Sequence, residues 1–344
     1  MDKNKLIEVI EDGLGIELLD FLIEVDDPTT YIGPRFLPNR DIFDYDWKES
    51  VIDNSVALAK PLARGDAEAP LISGPATREA IGSVIGWGQK FQVNKKVLNK
   101  IFNPRNDNEL KASLRQVLDE SARNIRAAQM RREWLRWQFL AKGEIAIPEI
   151  NLTIDMGVPG DNKISHTSAL VTEEWDTTAS ATPIDDIVRM CEEYYTVNDE
   201  MPSAIVMRRA QVMQLLAADD TKDEKGLHSL AEVNAYLAGL GMGYPQIETY
   251  DEFVRLEDAQ GRPTTKEYLI PAKRICLLKE ATAAEMADIG RLMMGPVAEN
   301  NFTPGVYATI YEETDPMKYW HFMATEMWPA QFNPGKVFFC DVVS

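Results

Sequence analysis

The stretch from Asn106 to Lys142 contains neither proline nor glycine. It is rich in alanine, leucine, arginine, glutamate and glutamine, which are strong helix formers, and its apolar residues recur close to the 3.6-residue period. Asn106 with Glu109 three positions later forms a capping pair, and Gly143 is a natural C-terminal stop. The sequence therefore predicts one helix over 106–142, roughly 50 Å long. Such a helix exceeds the width of a small domain, so its polar faces must reach beyond one compact core.

Length and charge narrow the classes of function. The chain has 344 residues, of which 45% are hydrophobic, and a formal net charge of −19. This length allows two or three domains with a sizeable core. The negative charge argues against a protein whose main task is to grip nucleic acid, because phosphate binding needs concentrated lysine and arginine. Since the chain has no long apolar run and no secretory signal, we expect no membrane partner.

The N-terminal third lacks a core of its own. Residues 1–30 contain two short amphipathic helical patterns, and the irregular, aromatic-rich stretch up to residue 55 should lie along another surface, on its own subunit or on a neighbour. In 56–98, apolar and polar residues alternate on both sides of a tip rich in glycine, proline and alanine, which predicts a long two-stranded ribbon. Because isolated two-stranded ribbons are marginal in water, this ribbon should pack on something outside itself.

The C-terminal part of the chain mixes helix and strand patterns. Residues 144–157 have a strand pattern, and Pro183 begins a helix after the capping residue Thr182. Further helices and strands up to about residue 300 predict a compact α+β unit with a mixed sheet. Two long strand patterns, joined by a turn at 333–336, close the chain.

The search for catalytic or ligand-binding motifs is mostly negative. Neither a Walker sequence nor a G-x-S-x-G elbow occurs. The chain has three histidines and three cysteines, none of them at metal-ligand spacing: His166, His228, His321, Cys191, Cys276 and Cys340. Widely spaced cysteines without a CxxC pair are typical of buried, reduced thiols in an intracellular protein. We therefore predict no catalytic residue, no cofactor, no metal site and no enzymatic activity.

One charge pattern stands out, because the long helix is rich in arginine within an acidic chain. The planar guanidinium suits either phosphate or the carboxylates of a neighbouring subunit. Pairing within the chain, or simple solvation, is the alternative. The six candidates for contact with DNA or with another subunit are Arg115, Arg123, Arg126, Arg131, Arg132 and Arg136.

The order of arm, ribbon, very long helix, α+β unit and terminal strands resembles the major capsid proteins of tailed phages, which share the Hong Kong 97-type fold. More closely, the chain is similar to the lambda-type major capsid protein family. The resemblance is carried by LAKGEIAI at the end of the helix, by IDMG at Ile154–Gly157, by the Glu174-Trp175 pair, by TPIDDI at Thr182–Ile187, and by the closing TEMWPAQFNPGKVFFCDVV.

The resemblance implies an α+β Hong Kong 97-type capsid fold with named parts. These parts are an N-arm over 1–55, an E-loop over 56–98, a P-domain over 99–181 with its spine helix at 106–142, an A-domain over 182–300, and P-domain strands over 301–344. The implied function is that of the major capsid protein of a tailed double-stranded DNA phage. Such subunits assemble into the hexamers and pentamers of an icosahedral head. The expected location is the host cytoplasm during assembly and the capsid of the virion afterwards.

The implied partners are other copies of the chain, a portal, packaged DNA, a decoration protein, and a separate scaffolding protein or none. Because a ribbon tip must dock on neighbours, we expect polar contacts between subunits from residues near it: Arg64, Asp66, Glu68, Arg78 and Glu79. The nearest alternative is an encapsulin-type cellular compartment of the same fold. A soluble enzyme with its site in 182–300 is the alternative from another class.

Overall fold

The computed structural model describes residues 5–14, 28–52, 77–257, 263–282, 288–314 and 317–344. The helices are α1 (Lys5–Leu14), α2 (Gly33–Phe36), α3 (Lys95–Phe102), α4 (Asp107–Trp137), α5 (Pro183–Asn198), α6 (Arg209–Ala217) and α7 (Leu230–Gly239). The strands are β1 (Asn39–Asp41), β2 (Asp46–Ile52), β3 (Thr77–Ser83), β4 (Ile85–Gln92), β5 (Glu144–Ile147), β6 (Leu152–Asp155), β7 (Lys163–Ile164), β8 (Ala204–Met207), β9 (Gln246–Thr249), β10 (Phe253–Glu257), β11 (Pro263–Tyr268), β12 (Arg274–Leu278), β13 (Gly290–Val297), β14 (Thr303–Pro304), β15 (Val306–Thr314), β16 (Met317–Gln331) and β17 (Phe338–Asp341).

The long helix predicted from the sequence is α4. The side chain of Asn106 accepts a hydrogen bond from the backbone N–H of Glu109 at 2.8 Å, which caps the first turn. The last predicted turn, Gln138–Lys142, is π-helical rather than α-helical. Gly143 ends it in the left-handed conformation, with φ at 69°, as a glycine stop does.

The larger sheet of the described residues is built around β16. This strand pairs with β15 along its first part and with β13 along its last part, and β4 lies on its other side. The short β1 pairs in parallel with β13, and β14 pairs with its end. The first half of α4 covers this sheet through Leu114, Val117 and Ile125, in a cluster that also includes Leu6 of α1 and Val97 of α3.

A smaller mixed sheet, in the described part of the chain, has the order β7-β17-β12-β8-β9. Its interior strand β8 is buried at every position, which explains the unbroken apolar run in the sequence. Helices α5, α6 and α7 pack on it around Tyr194, Leu215 and Val233. The predicted α+β unit is therefore present.

The expected division of the chain at residue 300 does not follow the strand pairing. Strand β13, which is buried at all its positions, belongs to the larger sheet, because it pairs with β16 and β1. Strand β17, near the end of the chain, belongs to the smaller sheet beside β12. The terminal strands thus tie the two sheets together.

The ribbon differs from its predicted form. Strands β2 and β3 pair from Asp46 with Ser83 to Ile52 with Thr77, so the described part of the ribbon begins before residue 56. Residues 53–76, which include the first predicted strand and the tip, lie outside the described residues. The second predicted strand continues as β4, which pairs with β16 rather than across the ribbon. The chain then enters α3 within the segment assigned to the E-loop.

Two other expectations change in detail. The pattern over 144–157 is a hairpin of β5 and β6 rather than one strand, because Asn151 adopts a left-handed conformation at the turn. The first N-terminal helix is α1, whereas the second predicted helix lies outside the described residues. In the arm, Phe36 and Leu37 are fully buried against the chain's own core, so this part lies on its own subunit.

The loop between β7 and α5 is fixed by a buried pair from two of the sequence motifs. Trp175 donates from Nε1 to Oδ2 of Asp186 at 2.9 Å, and both side chains are fully buried. Thr172 donates to the same carboxylate from its backbone N–H and its hydroxyl. Thr182 makes no side-chain cap for α5, because its hydroxyl bonds to Thr172.

No helix in the described ranges has the length and apolarity to cross a membrane.

Candidate assembly surface

The ribbon of β2 and β3 exposes backbone and side chains that could meet another copy. It pairs only with itself, so the outer edge of each strand is open within the described part of the chain. Glu79 is exposed and pairs with Lys48 at 2.9 Å across the two strands. Arg78 lies in β3 opposite Val51. The other three predicted contact residues, Arg64, Asp66 and Glu68, lie outside the described residues.

An apolar groove of about 450 Å³ runs beside β3. Its lining includes Trp47, Ile81, Ile154, Met156, Trp328 and Pro334. Ile81 is 66% exposed, and Phe43, in the loop before β2, is 82% exposed. Exposed large apolar side chains beside a groove are typical of sites where proteins meet each other.

Two buried polar atoms from the lining residues lack hydrogen-bond partners. They are the indole Nε1 of Trp47 and Oε1 of Gln331, and neither has a partner among the described residues. Buried polar groups are nearly always paired in folded proteins. These two atoms are therefore unusual within the described part of the fold.

A buried carboxylate holds the arm against the long helix. Glu133 of α4 accepts hydrogen bonds from the backbone N–H of Gly33 at 3.0 Å, from Nε1 of Trp137 at 2.8 Å and from the hydroxyl of Tyr250 at 2.6 Å. It also pairs with Arg136 at 3.1 Å. Its four donors therefore come from the arm, from α4 itself and from the end of the smaller sheet.

Arg136 completes this cluster. Its Nε donates to the backbone oxygen of Leu37 at 3.0 Å, and Nη2 donates to Oδ1 of Asn39 at 2.6 Å. Burial, together with the adjacent carboxylate of Glu133, raises the pKa of Tyr250 far above its usual value. The phenol therefore stays protonated and donates at all ordinary pH values. The sequence analysis did not find this hub, because Glu133 and Arg136 lie among several other charged residues of the helix.

The six arginines of the long helix do not form one continuous surface. Arg115, Arg123 and Arg126 are exposed, whereas Arg132 is 6% exposed and Arg136 is fully buried. The guanidinium of Arg131 lies over the rings of Trp87 and Trp134, and it pairs with Glu149 at 3.1 Å. Arg131 and Arg136 therefore pair within the chain, which was the alternative to contact with DNA or with another subunit.

The groups that could carry chemistry lie apart. No group of three or more histidine, cysteine, aspartate or glutamate side chains within the described ranges could hold a metal ion. All three cysteines are buried and unpaired. Burial raises the pKa of the Cys191 and Cys276 thiols to about 12, so both are protonated and unreactive near neutral pH.

The comparison with protein families identifies the class of protein. A family model described as phage major capsid protein E matches residues 17–341. The chain belongs to this family. As a member of the phage major capsid proteins, it is a structural subunit of an icosahedral phage shell, as the sequence resemblance predicted.

Solved structures agree with the capsid fold. A prophage capsid protein from Escherichia coli CFT073 is 15% identical over 100% of this chain and 99% of that chain, with a TM-score of 0.61. A phage-related protein from Bordetella bronchiseptica RB50 is 10% identical over 97% of this chain and 96% of that chain, with a TM-score of 0.55. No curated protein matches the sequence. The α+β Hong Kong 97-type fold expected from the sequence is confirmed.

Proposed function

We propose that this capsid subunit assembles, without enzymatic activity, into the hexamers and pentamers of a tailed phage head that encloses double-stranded DNA. The observation that carries the proposal is the open-edged ribbon beside the apolar groove, because a stable monomer would leave both exposed to water. When one self-complementary surface repeats around symmetry axes, it builds closed assemblies. Contacts spread over arm and ribbon can bury well above the roughly 2,000 Å² of smaller permanent interfaces.

The parts of the fold take the following roles in this proposal. The larger sheet with α4 forms the peripheral P-domain, and α4 with its π-helical turn is the spine helix. The smaller sheet with α5, α6 and α7 forms the A-domain near the capsomer centre. The ribbon that starts at β2 and ends at β3 acts as the E-loop, and the residues before β2 act as the N-arm. Strand pairing supports an A-domain that excludes β13 and includes β17.

The ribbon supplies polar contacts between subunits in this arrangement. Arg64, Asp66, Glu68, Arg78 and Glu79 meet neighbouring copies. Arg78→Glu should lower the yield of particles, because a reversed charge at a subunit contact leaves repulsion in place of attraction. An unchanged yield would remove Arg78 from this set.

The remaining partners follow from the head of a tailed phage. Assembly takes place in the host cytoplasm, around a scaffolding protein where one is present, with a portal at one vertex. A decoration protein binds the outside of the finished shell. None of these partners needs an enzymatic site on the subunit.

The function is tested by expressing the chain with and without its neighbouring phage genes. Size-exclusion chromatography and negative-stain microscopy should show shells or capsomers rather than a stable 38.8 kDa monomer. DNA inside particles made with the neighbouring genes supports a phage head. Shells that hold a cargo enzyme in place of DNA would favour a cellular compartment, and a persistent monomer would overturn the proposal.

A further inference from the structure

A basic stripe runs along the exposed face of α4. Lys111, Arg115, Arg123 and Arg126 are exposed, and with Asp119 they recur at helical spacing along one side of the helix. Four cations and one carboxylate give the stripe a net charge of +3 (4 − 1) in a chain whose net charge is −19. From Lys111 to Arg126 the stripe is about 22 Å long at about 1.5 Å per residue.

The cations of the stripe have no ion-pair partner among the described residues. In the part of the chain that the structure describes, no carboxylate forms an ion pair with any of the four, although Asp119 lies one turn from both Arg115 and Arg123. By contrast, Arg131 and Arg136 farther along the helix are paired with Glu149 and Glu133. The stripe thus presents its charge outward, whereas the C-terminal end of the same helix uses its arginines for internal packing.

The stripe lacks the apolar side chains expected of a contact between subunits. In the described ranges, α4 exposes no large hydrophobic residue. The exposed ones, such as Phe43, Ile81 and Phe302, lie on other parts of the chain. The core of a protein interface is enriched in aromatic residues and depleted in charge, whereas a phosphate-binding surface needs lysine and arginine with little else. The composition of the stripe therefore favours a polyanion over a second copy of the chain.

The helix holds the stripe in a fixed line. Leu114, Val117, Ile125 and Ala128 on the opposite face are buried against the chain's core, so the cations project from a rigid element. Guanidinium groups can donate two parallel hydrogen bonds to one phosphate, which makes arginine well suited to a sugar–phosphate backbone. Contacts of this type position a duplex without reading its sequence.

We propose that Lys111, Arg115, Arg123 and Arg126 contact the phosphate backbone of duplex DNA inside the shell. This inference rests on the proposed function, because it needs DNA-filled heads. The remaining acidic surface repels the genome, so the stripe supplies a small number of weak, salt-sensitive contacts in each subunit. Such contacts hold the outer layer of DNA in register with the shell without gripping it firmly.

Arginine modification with phenylglyoxal, read by mass spectrometry, tests the proposal in three samples: DNA-filled particles, empty particles and free subunits. Arg115, Arg123 and Arg126 should be modified several-fold less in filled particles than in empty ones, and the difference should shrink as salt is raised. Arg209 in α6, Arg255 in β10 and Arg105 in the loop before α4, all exposed and outside the stripe, serve as controls with no DNA-dependent difference. Equal modification of the stripe in filled and empty particles would overturn the proposal.

A matched pair of triple variants separates DNA contact from subunit contact. R115Q/R123Q/R126Q and R105Q/R209Q/R255Q remove the same charge. The stripe variant should form shells as well as the control does, yet retain DNA less well at low salt, and the difference from the control should shrink as salt is raised. Shell formation lost only in the stripe variant would instead place the stripe between subunits. If neither variant nor the parent chain forms DNA-filled particles, the proposed function itself fails.

Discussion

The hydroxyl of Tyr250 lies 2.6 Å from Oε1 of Glu133, although 117 residues separate the two along the chain. The rings of Tyr250 and Trp137 stack with centroids 5.1 Å apart, so the same contact joins the end of β9 to the spine helix. Because the N-terminal arm is bound to Glu133 as well, one carboxylate fixes the relative positions of three segments. This buried hub sets the direction in which arm and helix leave the core.

Tyr250→Phe removes one donor from this carboxylate and leaves the ring in place. We expect the free energy of unfolding of isolated subunits to fall by about 1–3 kcal/mol, the cost of leaving a buried charged acceptor less satisfied. Urea unfolding followed by tryptophan fluorescence measures the change. Tyr195→Phe is the matched control, because Tyr195 is 49% exposed and should lose almost nothing. Equal stability of the two variants would show that the Tyr250 hydroxyl does not stabilise the hub.

Gly33→Ala tests how closely the arm approaches the helix. A Cβ atom at Gly33 would overlap the carboxylate oxygens of Glu133 and lie 2.9 Å from Cδ of Arg136. Overpacking of this kind costs about 1–3 kcal/mol, so trypsin should cut the arm at Arg35 or Arg40 faster than in the parent. Gly239→Ala has open space around its Cβ and should leave cleavage of the arm unchanged.

Asp186→Asn tests the buried pair that fixes the loop before α5. Three donors, from Thr172 and Trp175, point at its carboxylate, and Arg189 donates to it as well. An amide would turn an NH₂ group toward one of these donors and remove the partner of the arginine, so we expect a loss of about 2–4 kcal/mol in the free energy of unfolding. Asp185→Asn, at the next position but more exposed, should cost far less. A differential scanning calorimetry trace for each subunit variant gives the comparison.

His321 should make subunit stability depend on pH. Burial lowers its pKa, and the carboxylate of Glu120, 3.4 Å from Nε2, only partly opposes this effect. Its Nδ1 lies 2.8 Å from the hydroxyl of Ser121. Because the folded state binds a proton less readily than the unfolded state, whose histidine pKa is about 6.5, stability is complete above that value and is lost as the pH falls below it.

The measurement is urea unfolding of isolated subunits at a series of pH values from neutral to mildly acidic. His321→Gln should flatten the pH dependence in this window, whereas His228→Gln should keep it, because His228 is exposed. A slope that survives His321→Gln unchanged would assign the pH dependence to other groups.

Local signals in the sequence predicted the long helices well, although α3 was missed because its first residues fell in the predicted ribbon. The spine helix was predictable at both ends because its cap at Asn106 and its stop at Gly143 depend only on neighbouring residues. The strand pattern of β4 was also visible, but its partner was not, because pairing with β16 joins residues more than two hundred positions apart. Strand β13 was not predicted at all, since its buried stretch lacks the alternation that marks a half-exposed strand.

The assembly surface was less predictable than the fold. Glu133 and Arg136 appear in the sequence as ordinary helix charges, and only the approach of Gly33 and Tyr250 makes them a buried hub. The groove could not be found either, because its walls come from four separate segments of the chain. Arginine content did single out the spine helix, but exposure was needed to separate the stripe from the packed end.

The join between ribbon and sheet has a mechanical consequence. Only Val84 separates β3 from β4; it is buried, and its N–H donates to the backbone oxygen of Tyr45 at 2.9 Å. The ribbon is therefore not joined to the sheet by a flexible linker. It continues directly into β4, which pairs with β16. Under the proposed function, a neighbouring subunit that pulls on the ribbon would load β16, the longest strand among the described residues, and through it the spine helix. Tension applied to the ribbon would thereby reach the core of the subunit.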